Sequence, residues 1–319
     1  MMGTGPFAVP TFKALVESSH DVCGLVTRPP AGSHRRKRKD INPMREAAEG
    51  LGLEIHDPAS VNDPEFAPVL KGYAADLFVV CDYGQILSRE VLGYSSLGGI
   101  NLHGSLLPKY RGAAPINWAI FNGDPTTGNT VILMTPKLDG GPILAKTELQ
   151  VLPEDTAVTV EEKLSAMGPA AVLECIERLE SWDGHEEIGE LQDKTLATKA
   201  PRLSKQDGQV DWSRSAREIF NQVRAFQPWP GSFSNLVRQA SDDASSKNEV
   251  RLIFTLVEQV DVDDSSPAGT LIQVDSKRMV VQTGQGGLEI LQVQPAGKKP
   301  MPVADFMRGN PVSVGDRFE

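Results

Sequence analysis

Short apolar runs alternate with stretches of helical spacing over the first 180 residues. Residues 75–81 form a nearly continuous apolar run, which is typical of a parallel strand buried on both faces. Residues 11–17 carry apolar positions at helical spacing, and so do residues 160–179, where Gly168 and Pro169 predict a break. This alternation of strand and helix predicts an α/β fold with a doubly wound, mostly parallel sheet, of the Rossmann-like kind.

The last third of the chain has a different pattern. Four strands are predicted at residues 250–260, 269–274, 278–283 and 287–293, separated by turns rich in Asp, Ser and Gly. Several short strands after an α/β half predict a smaller, OB-like β-barrel. Residues 184–203 are polar and lack periodicity, so we expect three parts: a domain at 1–183, a linker at 184–203 and a barrel domain at 204–319.

Composition narrows the class of protein. The length of 319 residues suggests two domains, and a net charge of −10 argues against non-specific coating of nucleic acid. The sequence shows no apolar run of membrane-span length and no secretion signal, so a cytoplasmic protein is expected. The cysteines, Cys23, Cys81 and Cys175, are isolated, which predicts small core residues rather than disulfides or a zinc site; no metal cluster is visible.

Polar residues stand where two predicted strands end. Asn101 and His103 alternate at the end of a strand and can project to one side of it. Asp139 follows the strand predicted at residues 130–134 and precedes a Gly-Gly pair. Because ligands bind at the carboxyl ends of strands in open α/β sheets, the three side chains are expected to meet there.

Three segments around these residues carry a family resemblance. Asn-Leu-His-Gly-Ser-Leu-Leu-Pro at 101–108, Arg-Gly-Ala-Ala-Pro-Ile at 111–116 and Leu-Asp-Gly-Gly at 138–141 resemble the signature of the 10-formyltetrahydrofolate-dependent formyltransferases. The likeness extends to residues 224–231 and 291–301, and it is strongest to the members that act on methionyl initiator tRNA. It implies formyl transfer to the methionyl amine, giving N-formylmethionyl-tRNA for translation initiation and tetrahydrofolate.

Such a transfer needs donors to the formyl oxygen and a group that moves a proton. We assign Asn101 as amide donor and His103 as a second donor, whose protonated form the charge of Asp139 would favour. Asp139 would relay the proton released by the amine, directly or through water. Ser105 belongs to the folate loop and is not expected to act as a nucleophile.

The resemblance implies two folate-binding segments. The first lines the folate pocket with Ser105, Leu106, Leu107 and Pro108. The second holds the pterin ring, mainly by its backbone, and comprises Asp82, Tyr83, Gly84, Ile86 and Leu87. Asp82 departs from the family, which usually has a small residue here. Arg111 could meet an anionic substrate group or bond carbonyls of its own loop.

Two basic stretches are candidates for tRNA contact. Taken alone, the loop containing Arg35, Arg36, Lys37, Arg38 and Lys39 is more typical of a solvated surface; the resemblance implies that it grips the acceptor end of tRNA. The second stretch, Lys298 and Lys299, lies in the predicted barrel. The resemblance also implies a complete apolar first strand, of which only Met1 and Met2 are present here. Separately, we expect the protein to be a monomer.

The same three residues, Asn101, His103 and Asp139, are compatible with other formyl acceptors. The acceptor could be an amino sugar nucleotide, glycinamide ribonucleotide, or water in a hydrolase. A tRNA- or folate-binding module without catalysis would be expected to have lost Asn101, His103 or Asp139, and all three are present.

Overall fold

The computed structural model describes residues 1–30, 42–183, 186–238, 249–263 and 265–319. It divides into two compact units. The first contains Met1–Ile116, Pro125–Val151 and Thr159–Arg202, and the second contains Asn117–Asp124, Leu152–Val158 and Leu203–Glu319.

The first part of the chain alternates strands and helices as predicted. In chain order these elements are β1 (Met2–Gly3), α1 (Val9–Glu17), β2 (Leu25–Val26), α2 (Pro43–Gly50), β3 (Ile55–His56), α3 (Ala67–Gly72), β4 (Phe78–Cys81), α4 (Arg89–Leu92), β5 (Gly99–His103), β6 (Arg111–Gly112), α5 (Pro115–Phe121), β7 (Thr126–Leu133), β8 (Ile143–Gln150), α6 (Ala157–Glu180) and β9 (Lys199–Ala200).

Seven of these strands form one sheet in the order β3-β2-β1-β4-β5-β7-β8. The first five run parallel, and β7 and β8 are antiparallel, so the predicted mostly parallel sheet is confirmed. All four residues of β4 are buried, as a strand covered on both faces requires. Cys81 pairs with Leu102, so β4 and β5 end at the same edge of the sheet.

Helix α6 contradicts the predicted break, because it continues through Pro169. Its apolar residues Leu164, Val172 and Leu179 are almost completely buried. Gly168 lies so close to the sheet that an added Cβ would come within 2.6 Å of the Leu102 side chain. We attribute the continuity to this packing, which outweighs the hydrogen bond that a proline removes from a helix.

The second unit is mainly antiparallel β-structure. Its elements beyond residue 203 are α7 (Ala216–Ala225), β10 (Ser232–Val237), β11 (Glu249–Val260), β12 (Leu271–Val274), β13 (Met279–Gln282), β14 (Gly287–Pro295), β15 (Met301–Pro302), α8 (Val303–Gly309) and β16 (Arg317–Phe318). Ser215 caps α7 in a complete capping box with Glu218.

These strands form a nearly closed barrel, which confirms the predicted architecture. The order is β12-β13-β14-β11-β10-β16, and a bridge between Thr270 and Arg317 brings the two ends together. The core includes Trp212, Phe254 and Phe318, whose ring centroids lie 5.2–5.6 Å apart. The Trp212 indole donates to the Ser234 hydroxyl, which removes the cost of burying its N–H.

Two details differ from the sequence prediction. Strand β10 was missed because two of its three buried positions are Ser232 and Ser234, so apolar alternation is not visible. Cys23 is exposed and therefore wrong as a core residue, whereas Cys81 and Cys175 are buried. No helix of the described residues has both the length and the apolar character to cross a membrane.

Candidate active site

Asn101, His103 and Asp139 meet at the edge of the sheet. Leu102 packs towards α6, so its neighbours Asn101 and His103 face the other side of β5. Asn101 Nδ2 lies 3.5 Å from Asp139 Oδ1, and His103 Nδ1 lies 3.8 Å from Asp139 Oδ2. The His103 and Asp139 side chains are only 6 % and 10 % exposed. An amide, an imidazole and a carboxylate therefore converge in a place with little water.

The second ring nitrogen of His103 is held by the backbone. His103 Nε2 is 2.9 Å from the carbonyl oxygen of Tyr110. A carbonyl can only accept, so Nε2 carries a hydrogen and donates it. The nitrogen that remains for chemistry is Nδ1, which faces Asp139.

The turn that carries Asp139 is tightly constrained. Asp139 has a φ of +47°, in the left-handed region that few non-glycine residues adopt. Its Oδ2 accepts a 2.8 Å hydrogen bond from the Gly112 amide. At Gly141 an added Cβ would lie 1.8 Å from the Leu133 carbonyl oxygen, so only glycine fits there. The hydrogen bond from Gly112 and the close packing at Gly141 hold the turn so that the carboxylate of Asp139 faces His103.

The segment after β5 is fastened to β7. Thr130 Oγ1 donates to the Ser105 carbonyl and accepts from the Leu107 amide, and Ser105 Oγ donates to the Lys109 carbonyl. Ser105 is fully buried and its hydroxyl hydrogen is used, so it holds the loop. Leu107 is 1 % exposed and packs in the core with Ile132 and Ile143. Leu106 and Pro108, the other apolar residues of this segment, are half-buried.

The segment after β4 divides in the same way. Tyr83 and Leu87 are buried in the core, whereas Asp82, Gly84 and Ile86 are exposed. Gly84 has a φ of +79°, and an added Cβ would meet no atom within 4 Å. The backbone here is open to close approach by a flat ring, which fits the expected pterin contact.

Asp82 packs against the turn after β1. A Cβ added at Gly5 would lie 1.8 Å from its carboxylate. Although Asp82 as a whole residue is exposed, its carboxylate lies against Gly5, and desolvation there raises the pKa of this carboxyl to about 6. Arg28, a hydrogen bond from Gly5 and Arg202 oppose the shift. A small residue at this position would leave more room next to Gly5.

The structure describes only some of the candidate tRNA residues. Arg35, Arg36, Lys37, Arg38 and Lys39 lie outside the described residues. Lys298 and Lys299 are exposed in the turn between β14 and β15, where the Lys298 carbonyl accepts from Gln294. Within the part of the chain that the structure describes, no three His, Cys, Asp or Glu side chains are grouped as metal ligands.

Comparisons with known proteins give the family. A model of the formyl transferase family matches residues 1–176, and a model of the formyl transferase C-terminal domain matches residues 202–311. The methionyl-tRNA formyltransferase of Rhodopirellula baltica is 42 % identical, and the match covers 100 % of this chain and 95 % of that protein. The chain belongs to the methionyl-tRNA formyltransferase family.

A second relative supports this assignment, and two solved structures share the fold. The methionyl-tRNA formyltransferase of Desulfotalea psychrophila is 38 % identical over 97 % of this chain and 91 % of that protein. The solved N-formyltransferase from Helicobacter canadensis shares the fold with a TM-score of 0.60 at 15 % identity, over 92 % of this chain and 97 % of that one. HypX from Aquifex aeolicus, solved with tetrahydrofolic acid, aligns with a TM-score of 0.55 at 17 % identity, over 85 % of this chain and 47 % of that one.

Sequence reasoning missed several residues that support the formyltransferase site. Gln192 bonds the Asp139 turn, and Thr198 Oγ1 accepts from the Tyr110 amide at 2.8 Å. Both lie in the stretch predicted as a linker. Arg111, whose role was open, directs its guanidinium to Gln192 rather than to its own loop. No sequence signal identified them, because single polar residues in an aperiodic stretch form no pattern.

Proposed function

We propose that this enzyme transfers the formyl group of 10-formyltetrahydrofolate to the α-amino group of methionyl initiator tRNA. The observation that carries the proposal is the match to methionyl-tRNA formyltransferases over the whole of this chain, C-terminal domain included, and 95 % of the Rhodopirellula baltica protein. The convergence of Asn101, His103 and Asp139 supplies the chemistry. The products are N-formylmethionyl-tRNA and tetrahydrofolate.

We propose a separate role in the reaction for each of the three side chains. Asn101 Nδ2 and a protonated His103 Nδ1 donate to the formyl oxygen as negative charge develops on it. Asp139 accepts the proton released when the neutral amine bonds to the formyl carbon. It returns that proton to the N10 nitrogen of tetrahydrofolate as the bond between that nitrogen and the formyl carbon breaks. No covalent enzyme intermediate is needed.

The formyl donor would lie along the two loops at the strand ends. In the loop after β4, the backbone at Gly84 and the residues Asp82 and Ile86 are exposed and therefore available to contact the folate. Leu106 and Pro108 remain available on the loop after β5, while Ser105, Leu107, Tyr83 and Leu87 keep the two loops in shape from the core. We therefore propose that the more exposed residues of the two segments contact the folate and that the buried ones support the segments.

The tRNA would be bound by both domains. We propose contacts from residues 35–39 and from Lys298 and Lys299, with a domain boundary within residues 184–203. The ranges of the two family models support that boundary. We further propose a monomer that acts in the cytoplasm without a membrane.

An acceptor panel tests this function. The protein is given 10-formyltetrahydrofolate with methionyl initiator tRNA, uncharged tRNA, an amino sugar nucleotide, glycinamide ribonucleotide or no acceptor, and tetrahydrofolate release is followed. Turnover is expected with the charged tRNA alone. Equal release without acceptor would support the hydrolase, and release with a nucleotide acceptor would support that alternative.

A further inference from the structure

Gln192 lies outside the set of groups assigned to the reaction, but it bonds directly to the turn that carries one of them. Its Nε2 donates to the carbonyl oxygens of Asp139 and Gly141, both at 2.8 Å. Its Oε1 accepts from Arg111 Nε at 3.1 Å and from Arg111 Nη2 at 2.6 Å. We propose that Gln192 is a positioning residue that sets the orientation of Asp139 for formyl transfer, an inference that rests on the function proposed above.

The orientation of the Gln192 amide is unique. Carbonyl oxygens accept and a guanidinium donates, so the NH2 group must face the turn and the oxygen must face Arg111. All four hydrogen bonds are made at once, and the half-buried side chain has no better alternative. Arg111 thereby fixes Gln192, and Gln192 fixes the turn.

The turn needs such a restraint. Asp139 sits at a φ of +47°, a conformation that costs free energy for a residue with a side chain and persists only where neighbours hold it. Gln192 holds the carbonyls on both sides of Gly140, and the Gly112 amide holds the carboxylate itself. These bonds act on the backbone and on the side chain of the same residue.

The strand pair β6–β9 brings the connector to this turn. Arg111 pairs with Lys199 and Gly112 with Ala200, so the stretch that contains Gln192 is anchored next to the donor of the Asp139 bond. Gln192 thus acts through Asp139, and none of its four bonds involves Asn101 or His103.

Two substitutions separate its contacts. Gln192→Met keeps the length and loses all four bonds. Gln192→Glu keeps an acceptor for Arg111 but turns a carboxylate oxygen towards two carbonyl oxygens. Because small misplacements of a reacting group cost up to about 10²-fold in rate, both variants should lower kcat by about 10- to 100-fold. The KM for 10-formyltetrahydrofolate should stay within about threefold of wild type.

The matched control is Lys194→Met, an exposed long side chain two residues away. It should keep wild-type kcat, and thermal melting of each variant reports whether it is folded. If the wild type formylates methionyl-tRNA while both Gln192 variants keep kcat within twofold, the inference about Gln192 fails alone. If the wild type formylates none of the acceptors, the proposed function fails instead.

A double-variant comparison distinguishes positioning from general damage. Gln192 is proposed to act by positioning the Asp139 carboxylate. When Asp139 is already replaced by Asn, that carboxylate is absent, so the loss of Gln192 should have little further effect. Adding Gln192→Met or Gln192→Glu to Asp139→Asn should therefore lower kcat by less than about twofold further. A further loss equal to that of the single Gln192 variant would overturn the proposal.

Discussion

Asp139 and Gln192 are in direct hydrogen-bond contact, yet they come from stretches that look very different in the sequence. Asp139 follows a strand whose apolar pattern locates its end, and it stands before two glycines. Gln192 lies in a polar connector without a repeat, one residue after the exposed Leu191. The position of Asp139 follows from the end of a strand, whereas the position of Gln192 is fixed by its side-chain hydrogen bonds.

The difference shows what a connector can contribute to a site. Residues 186–202 form little regular structure, but they supply the Gln192 amide, the Thr198 hydroxyl and the backbone of β9. Those groups bond to Tyr110, Arg111 and the Asp139 turn. Tyr110 and Asp139 in turn lie next to the two ring nitrogens of His103. A stretch that separates two predicted domains is therefore also part of the support of the candidate active site.

The largest expected effect is on the strand-end side of this comparison. Asp139→Ala removes the proposed proton acceptor, so kcat should fall by about 10² to 10⁴-fold. Steady-state formylation of methionyl initiator tRNA measures it, with Asp193→Ala, an exposed carboxylate of the connector, as the control. An Asp139→Ala enzyme with more than a third of wild-type kcat would remove Asp139 from the reaction.

Asn101→Ala should cost somewhat less, because one of two proposed oxyanion donors remains. We expect kcat to fall by about 10² to 10³-fold, with little change in the KM for either substrate. Asn235→Ala is the control, since Asn235 is half-buried like Asn101 and lies on β10 of the second unit. An increase in KM at unchanged kcat would mean that Asn101 binds substrate rather than the transition state.

A substitution in the connector, residues 186–202, is expected to have a smaller effect, which falls on stability. Thr198→Val removes the hydroxyl that accepts the partly buried hydrogen bond from the Tyr110 amide, and the carbonyl of Tyr110 holds His103. The free energy of unfolding should decrease by about 1 kcal/mol, the usual net value of one hydrogen bond. Urea denaturation measures it, with Thr198→Ser, which keeps the hydroxyl group, as the comparison. Equal stability of Thr198→Val and wild type would show that this anchor is dispensable.

The smallest effect is expected for two residues of the second unit. Replacing Lys298 and Lys299 by Ala removes two exposed charges proposed to meet phosphate groups. The KM for methionyl-tRNA should rise several-fold at low salt and less at high salt, because phosphate contacts are screened by ions. Unchanged KM at every salt concentration would move the tRNA contact elsewhere.

The sequence predicted whatever depends on repeated patterns. The parallel sheet follows from apolar runs such as β4, and the barrel follows from short strands between polar turns. The meeting of Asn101, His103 and Asp139 follows from strand ends. The turn conformation of Asp139, the core position of Leu107 and the four bonds of Gln192 depend on packing between distant segments, and no local pattern encodes them.

The central claim is that three side chains act on one carbon, and a single-turnover experiment with His103→Ala, Asp139→Ala and the combined variant tests it most directly. Groups that act as a unit are strongly non-additive. The account predicts that each single variant loses at least about 100-fold in formylation rate and that the combined variant loses little more than the worse single one. Multiplied losses, or a His103→Ala enzyme with most of the wild-type rate, would contradict it.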